Sequence, residues 1–220
     1  LWKKKPQNSE REAGVETMES EDMHLCSHKK GCHSKRGPSS FWMHDPKLVF
    51  KELNLKKGDT FLDLGCGTGD YSLYAAEEVG ESGLVFSADV HKELTDALIE
   101  KADSAGLKNI KTTTADLYEL LPFDDSSIDV CFICTVLHSV DLPKAAETLF
   151  TEIQRILKPK GRLSIIECKV GEVRVGPPQN MRIPPGKLEK VLSEYGFEKK
   201  SLLDLGYNYM MTFCLAGANV

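Results

Sequence analysis

Three carboxylates, Asp63, Asp89 and Asp116, each stand at the end of a short β-rich run, and glycines follow the first of them at Gly65, Gly67 and Gly69. Glycines at alternate positions let the backbone take φ > 0 and let a ligand reach main-chain N–H groups that a Cβ would shield. An ionised carboxylate only accepts hydrogen bonds, so an acid after the second run suits the two hydroxyls of a ribose. An acid after the third suits an exocyclic adenine amine, with the Leu117 N–H near a ring nitrogen. Taken singly, each acid also reads as a helix cap or a solvated turn. Taken together, at the strand ends where open α/β sheets bind ligands, they point to a nucleoside site. The glycine spacing differs from the Gly-x-Gly-x-x-Gly of a dinucleotide turn, and no Walker lysine follows.

The elements that must position these residues alternate. A helix is expected from about 46 to 54, with Asp45 as N-cap and Pro46 at its first position. Phe61 to Leu64 leads into the glycine turn, and a helix begins at Asp70 and stops at Gly80. A strand over 83–89 precedes a helix with Leu94, Ala97 and Leu98 on one face, and Ile110 to Thr114 is β-rich. The run from Ile128 to Cys134 is too apolar for a solvated face, which marks a central parallel strand. Leu142, Ala145, Ala146, Leu149, Phe150, Ile153, Ile156 and Leu157 recur at helical spacing and end at Pro159 and Gly161. A fifth strand is expected over 162–167, a helix over 188–195, and two last β runs over about 198–204 and 208–216. Alternating strands and helices imply an α/β fold with helices on both faces of a mostly parallel sheet. The last two strands have no helix between them and form an antiparallel hairpin at one edge.

The 220 residues suit one domain with an appendage, and 41% hydrophobic with 28% charged residues is ordinary globular composition. A net charge of −5 makes nucleic acid an unlikely partner. No apolar run reaches the roughly 18 residues that span a bilayer. The seven cysteines are an odd number, and Leu1 to Pro6 lacks an apolar signal core, so free thiols and a cytoplasmic location are expected. Residues 1–40 form a polar tail, and 41–220 carry the globular pattern. Inside the tail, Cys26, His28, Cys32 and His33 admit three readings: a structural metal site, a redox pair of Cys26 and Cys32, or plain solvated chain. Their spacing matches no familiar zinc motif. Phe41 and Trp42 either close over a ligand or pack into the core.

The segments Asp63-Leu64-Gly65-Cys66-Gly67-Thr68-Gly69, Asp89, Ala115-Asp116-Leu117, Asp129 to His138 and Leu157 to Arg162 give the chain a specific resemblance. From about Trp42 to Phe213 it resembles the class I S-adenosylmethionine (SAM) dependent methyltransferases, and is similar to their small-molecule ubiquinone/menaquinone C-methyltransferase group. The resemblance implies a three-layer Rossmann-like sandwich with a seven-stranded sheet, SAM as cofactor and a small-molecule methyl acceptor. It implies that Asp63 and Gly65, with Cys66, Gly67, Thr68 and Gly69, face the methionine part, Asp89 and Val90 the ribose, and Asp116 and Leu117 the adenine. Cys134 and Thr135 would lie under the sugar and sulfonium. The segment from Gly176 to Pro185 looks like a substrate-side loop, where Arg182 either meets an anionic substrate or is an exposed helix-entry residue.

A sulfonium methyl is already electrophilic, so alignment and water exclusion do most of the work. A base is needed only when the acceptor holds a proton near neutral pH, and His138 is the candidate. Its other reading is a polar helix-entry residue. The end of the fourth strand, Cys134-Thr135-Val136-Leu137, has no Asn-Pro-Pro-Tyr-like turn and no Pro-Cys pair, which argues against base amino and cytosine C5 methylation. Two alternatives stay open: an arsenite or thiol S-methyltransferase using cysteines, Cys134 with Cys26, Cys32 and Cys168, or a non-catalytic SAM-binding protein with a metal-binding tail. A nicotinamide enzyme is disfavoured by the glycine spacing. Sequence leaves the oligomeric state open.

Overall fold

The C-terminal ends of four parallel strands carry the residues of interest, and the computed structural model describes them within residues 39–171 and 176–217. The strands are β1 (Thr60–Leu64), β2 (Leu84–Asp89), β3 (Ile110–Thr114), β4 (Ile128–Cys134), β5 (Leu157–Cys168), β6 (Phe197–Leu205) and β7 (Asn208–Leu215). They form one seven-stranded sheet in the order β3-β2-β1-β4-β5-β7-β6. The first five are mutually parallel, and β7 pairs antiparallel with both β5 and β6. The chain runs outward from β1 to β3 and returns to β4 on the other side of β1. The crevice between β1 and β4 is therefore the point where strand order reverses, the place at which such sheets bind ligands.

Helices α1 (Pro46–Leu53), α2 (Asp70–Val79), α3 (Lys92–Ser104), α4 (Leu142–Ile156) and α5 (Pro185–Glu194) complete the order. Residues of α1, α2 and α3 share a core with Phe61, Val85, Val130 and Phe132, while α4 and α5 share another with Leu62, Leu64, Cys131 and Ile133. Neighbouring residues of one strand thus enter opposite cores, which is why β1 and β4 read as continuous apolar runs. This is the three-layer sandwich expected from the sequence, with its antiparallel C-terminal hairpin.

One expected helix face and two expected boundaries shift. On α3 the buried positions are Thr95, Leu98 and Ala102, and Ala97 is exposed. Strand β5 begins at Leu157, because Ile128 already pairs with Leu157 before the register slips to Val130 with Arg162. Pro159 and Gly161 therefore lie in an irregular stretch of strand, where a missing N–H is tolerated, and are not helix terminators in open loop. Helix α5 starts at Pro185, with proline again at a first-turn position where no N–H is needed.

Among the described residues, no helix is long and apolar enough to cross a membrane. The tail positions Cys26, His28, Cys32 and His33 lie outside the described residues.

Candidate functional site

The turn after β1 is held by its neighbour strand. Gly65 and Cys66 both donate their N–H groups to Ala88 O, at 2.7 and 3.0 Å, and Gly69 N–H donates to Cys66 O at 2.9 Å. Gly65, Gly67 and Gly69 have φ of 84°, 54° and 78°, all in the left-handed region where a side chain is disfavoured. Their surroundings differ. A Cβ on Gly65 would stand 2.5 Å from Val136 Cγ2, and one on Gly69 would stand 2.3 Å from Leu98 Cδ1. Those two glycines let the turn pack against the β4 exit and against α3. A Cβ on Gly67 would meet nothing within 4 Å. The open cradle is therefore at Gly67, and its empty side is where a ligand can approach main chain.

Asp89 joins this turn to the next. Its Oδ2 accepts the Gly67 N–H at 2.9 Å and its Oδ1 accepts the His91 N–H at 2.9 Å, with 9% of the residue exposed. A carboxylate has about four acceptor positions, so one remains on each oxygen for a pair of hydroxyls. Val90 beside it is exposed to 54%, an apolar side chain offered to solvent or to a flat ring. Asp116, two residues past β3, is half-buried; its Oδ1 accepts the Tyr118 N–H at 3.0 Å, and Leu117 is half-buried next to it. Thr68 is exposed and donates to Asp70 Oδ2 at 2.6 Å. These residues fit a nucleoside: an open backbone cradle, a clasped carboxylate with spare acceptors, an exposed aliphatic side chain and a second acid.

Asp63 does something else. It is 2% exposed and accepts the Ser72 hydroxyl of α2 at 2.6 Å. Burial, followed by the nearby negative charges of Asp89 and Asp70, pushes its carboxyl up to about 7. The side chain is enclosed between β1 and α2, so what it offers a ligand is the position of the turn that follows.

The β4 exit is packed from the chain's described start. Ser40 Oγ lies 3.3 Å from Cys134 Sγ, and His44 Nδ1 lies 2.6 Å from the Tyr71 hydroxyl. Phe41 is buried with its ring edge-on to Tyr71 at 4.9 Å between centroids, whereas Trp42 is 73% exposed. Phe41 is thus the core residue of that pair. Burial pushes the Cys134 thiol up to about 12 and raises that of Cys66 as well, so both are protonated, inert groups at neutral pH. Among the described residues no three His, Cys, Asp or Glu side chains come together as a metal would need.

Thr135 follows Cys134 with φ of 53°, an uncommon conformation for a non-glycine residue, and its N–H donates to Ile166 O at 2.8 Å. The turn it makes brings His138 to β5. There His138 Nδ1 lies 2.8 Å from Glu167 Oε2, and Glu167 has no exposed surface. Glu167 escaped the sequence reading; the available signal was one acid inside the apolar run Ile165-Ile166-Glu167-Cys168. His44 and Tyr71 were also missed, because neither stands in a motif.

Arg182 departs from one of its two expected roles, that of an exposed residue. It is 7% exposed, donating from Nε to Pro177 O at 2.9 Å and from Nη1 to Lys169 O at 2.8 Å. Its guanidinium ties the loop before α5 to the end of β5, so it is not an exposed helix-entry residue.

Comparison with known proteins gives one family. The profile described as a methyltransferase domain matches residues 55–204. A SAM-dependent methyltransferase from Aquifex aeolicus has a solved structure that superposes with a TM-score of 0.73 at 30% identity, covering 80% of this chain and 93% of that one. A demethylmenaquinone methyltransferase of Lactobacillus johnsonii is 39% identical over 122 residues, 55% of this chain and 48% of that protein. One from Listeria welshimeri is 36% identical over 121 residues, 55% of this chain and 50% of that protein. The chain spans about half the length of the curated relatives it matches.

Proposed function

The chain belongs to the SAM-dependent methyltransferase family, and from that premise we propose that it transfers the methyl group of SAM to a small organic acceptor. The observation that carries this reading is the open face of Gly67 beside the clasped carboxylate of Asp89. When bound, SAM supplies an electrophilic methyl on a sulfonium. Asp89 and Val90 would face the ribose, Asp89 accepting its hydroxyls, while Leu117 would flank the adenine and Asp116 would accept its amine. Gly65, Cys66, Gly67, Thr68 and Gly69 would shape the seat of the methionine part, with Asp63 holding that turn to α2 from below. Cys134 and Thr135 would form the floor under the sulfonium. His138 would take a proton from acceptors that carry one.

The curated relatives are demethylmenaquinone methyltransferases, which supports a ring acceptor of that general size for this chain. Arsenite or thiol chemistry draws no support from Cys66, Cys134 and Cys168, which are buried and have raised thiol pKa values. The test is transfer of labelled methyl from SAM to a panel of quinols, phenols, thiols and arsenite, with product identified by mass. Label on a small organic acceptor is the expected result. Label on arsenite alone, or SAM bound without any transfer to that panel or to cell extract, would contradict it.

A further inference from the structure

His138 lies in the short turn just beyond β4, and Glu167 is next to last in β5, the parallel strand beside it. The Glu167 carboxylate takes two main-chain donors, the His138 N–H on Oε1 at 3.3 Å and the Cys168 N–H on Oε2 at 3.4 Å, besides the imidazole at 2.8 Å. An ionised carboxylate is an acceptor only, so in a pair with ionised Glu167 the ring nitrogen that faces it carries the proton. In that tautomer hydrogen sits on Nδ1 and the Nε2 lone pair is left for something else. Among the described residues Nε2 has no hydrogen-bond partner, and the His138 side chain keeps 15% of its surface open. The left-handed turn at Thr135 is the local strain that puts the ring there, the kind of backbone cost that clusters at working sites. Val136, between Thr135 and His138, packs on Gly65, so the imidazole shares an edge of the sheet with the glycine turn.

Resting on the methyltransferase reading above, we propose that Glu167 is a positioning residue that sets the tautomer of His138, and that the acceptor is an aromatic or enolic hydroxyl compound. A thiol ionises with a pKa of about 8.5 and needs little help near neutral pH, whereas a phenol at about 10 holds its proton. A built base is therefore matched to the hydroxyl. The acceptor oxygen bonds to the methyl carbon as the carbon–sulfur bond breaks, its electron pair passing to sulfur. The hydroxyl proton moves to His138 Nε2. The products are a methyl ether, S-adenosylhomocysteine and an imidazolium held against the Glu167 carboxylate, which then returns its proton to water.

Two measurements test this. Long-range proton–nitrogen NMR of histidine-labelled wild-type protein reads the tautomer with neither variant nor cofactor. Protonated Nδ1 and bare Nε2 at His138 is the expected result, and the opposite tautomer overturns the proposal. Labelled SAM is then offered with catechol, hydroquinone and 1,4-dihydroxynaphthalene, and in parallel with thiophenol and aniline. Label on hydroxyl oxygen supports the proposal, and label only on sulfur or nitrogen, or on none of these hydroxyls, overturns it. Glu167→Gln should lower kcat for the hydroxyl by about 100-fold or more, the scale of lost acid–base catalysis, with KM for SAM unchanged. An unchanged kcat overturns the positioning role. Absence of SAM binding by calorimetry would instead overturn the methyltransferase reading beneath it, whatever the tautomer.

Discussion

The main-chain N–H of Gly67 donates to Asp89 Oδ2 at 2.9 Å, which ties the turn after β1 to the turn after β2. The carboxylate is thereby aimed before any ligand arrives, and the glycine turn is held open by a residue from a different strand. Preorganisation of this kind lowers the ordering cost of binding.

The three glycines of the turn should separate by role. Alanine at Gly67 meets no neighbour and bears only the left-handed strain, about 1–2 kcal/mol. Alanine at Gly65 or Gly69 bears the same strain plus forced displacement of Val136 or Leu98, a further ~1–3 kcal/mol. Thermal unfolding should therefore rank Gly67→Ala above the other two in stability, while calorimetry should find its SAM affinity reduced despite that stability. Equal melting temperatures across the three would contradict the distinction.

Asp63 gives the protein a pH dependence on its neutral side. Its folded-state carboxyl titrates at about 7, well above the ordinary value, because burial disfavours the charge. The folded chain therefore keeps a proton that the unfolded chain has already lost, and stability falls as pH rises from about 4 to about 7. Asp63→Asn keeps an acceptor for the Ser72 hydroxyl and cannot ionise. Its stability relative to wild type should grow by a few kcal/mol between pH 5 and pH 8, gaining about 1.4 kcal/mol for each tenfold fall in proton concentration until the folded carboxyl ionises. Parallel pH profiles for the two proteins would contradict the assignment.

His44 acts on the acid side with the opposite sign. Burial lowers its pKa to about 4, so the imidazole packed against Tyr71 is neutral in the folded state. Its contribution is present above the ordinary histidine value of about 6.5 and is lost as pH falls towards 4, where the unfolded chain gains the proton first. His44→Leu combined with Tyr71→Phe removes the titrating ring without stranding the Tyr71 hydroxyl. Melting curves of the double variant should lose stability less steeply than wild type between pH 6.5 and 4.

Much of the site was legible because strand ends and glycine turns write themselves into short windows. β3 and β4 fall on the expected residues, Ile110–Thr114 and Ile128–Cys134, since each is a bounded β-rich run. Asp89 is where the sequence placed it, but its bond to Gly67 joins residues that no local pattern connects. The start of β5 misled because Pro159 and Gly161 end helices more often than they sit in irregular strand, and only pairing with Ile128 decides the matter. Arg182 and Glu167 depend on partners far along the chain, Lys169 for the one and His138 for the other. Burial of a charge among distant carbonyls or beneath a distant imidazole leaves no spacing to read.

The most direct test is titration calorimetry of SAM into wild type and Asp89→Ala. If the Asp89 carboxylate accepts the two ribose hydroxyls as proposed, with charged hydrogen bonds worth about 1.5–3 kcal/mol each, its removal should weaken binding at least tenfold. A one-to-one isotherm for wild type, strongly weakened in the variant while both proteins remain folded by circular dichroism, is the predicted result. No heat with wild type, or equal affinity in both, would contradict the account.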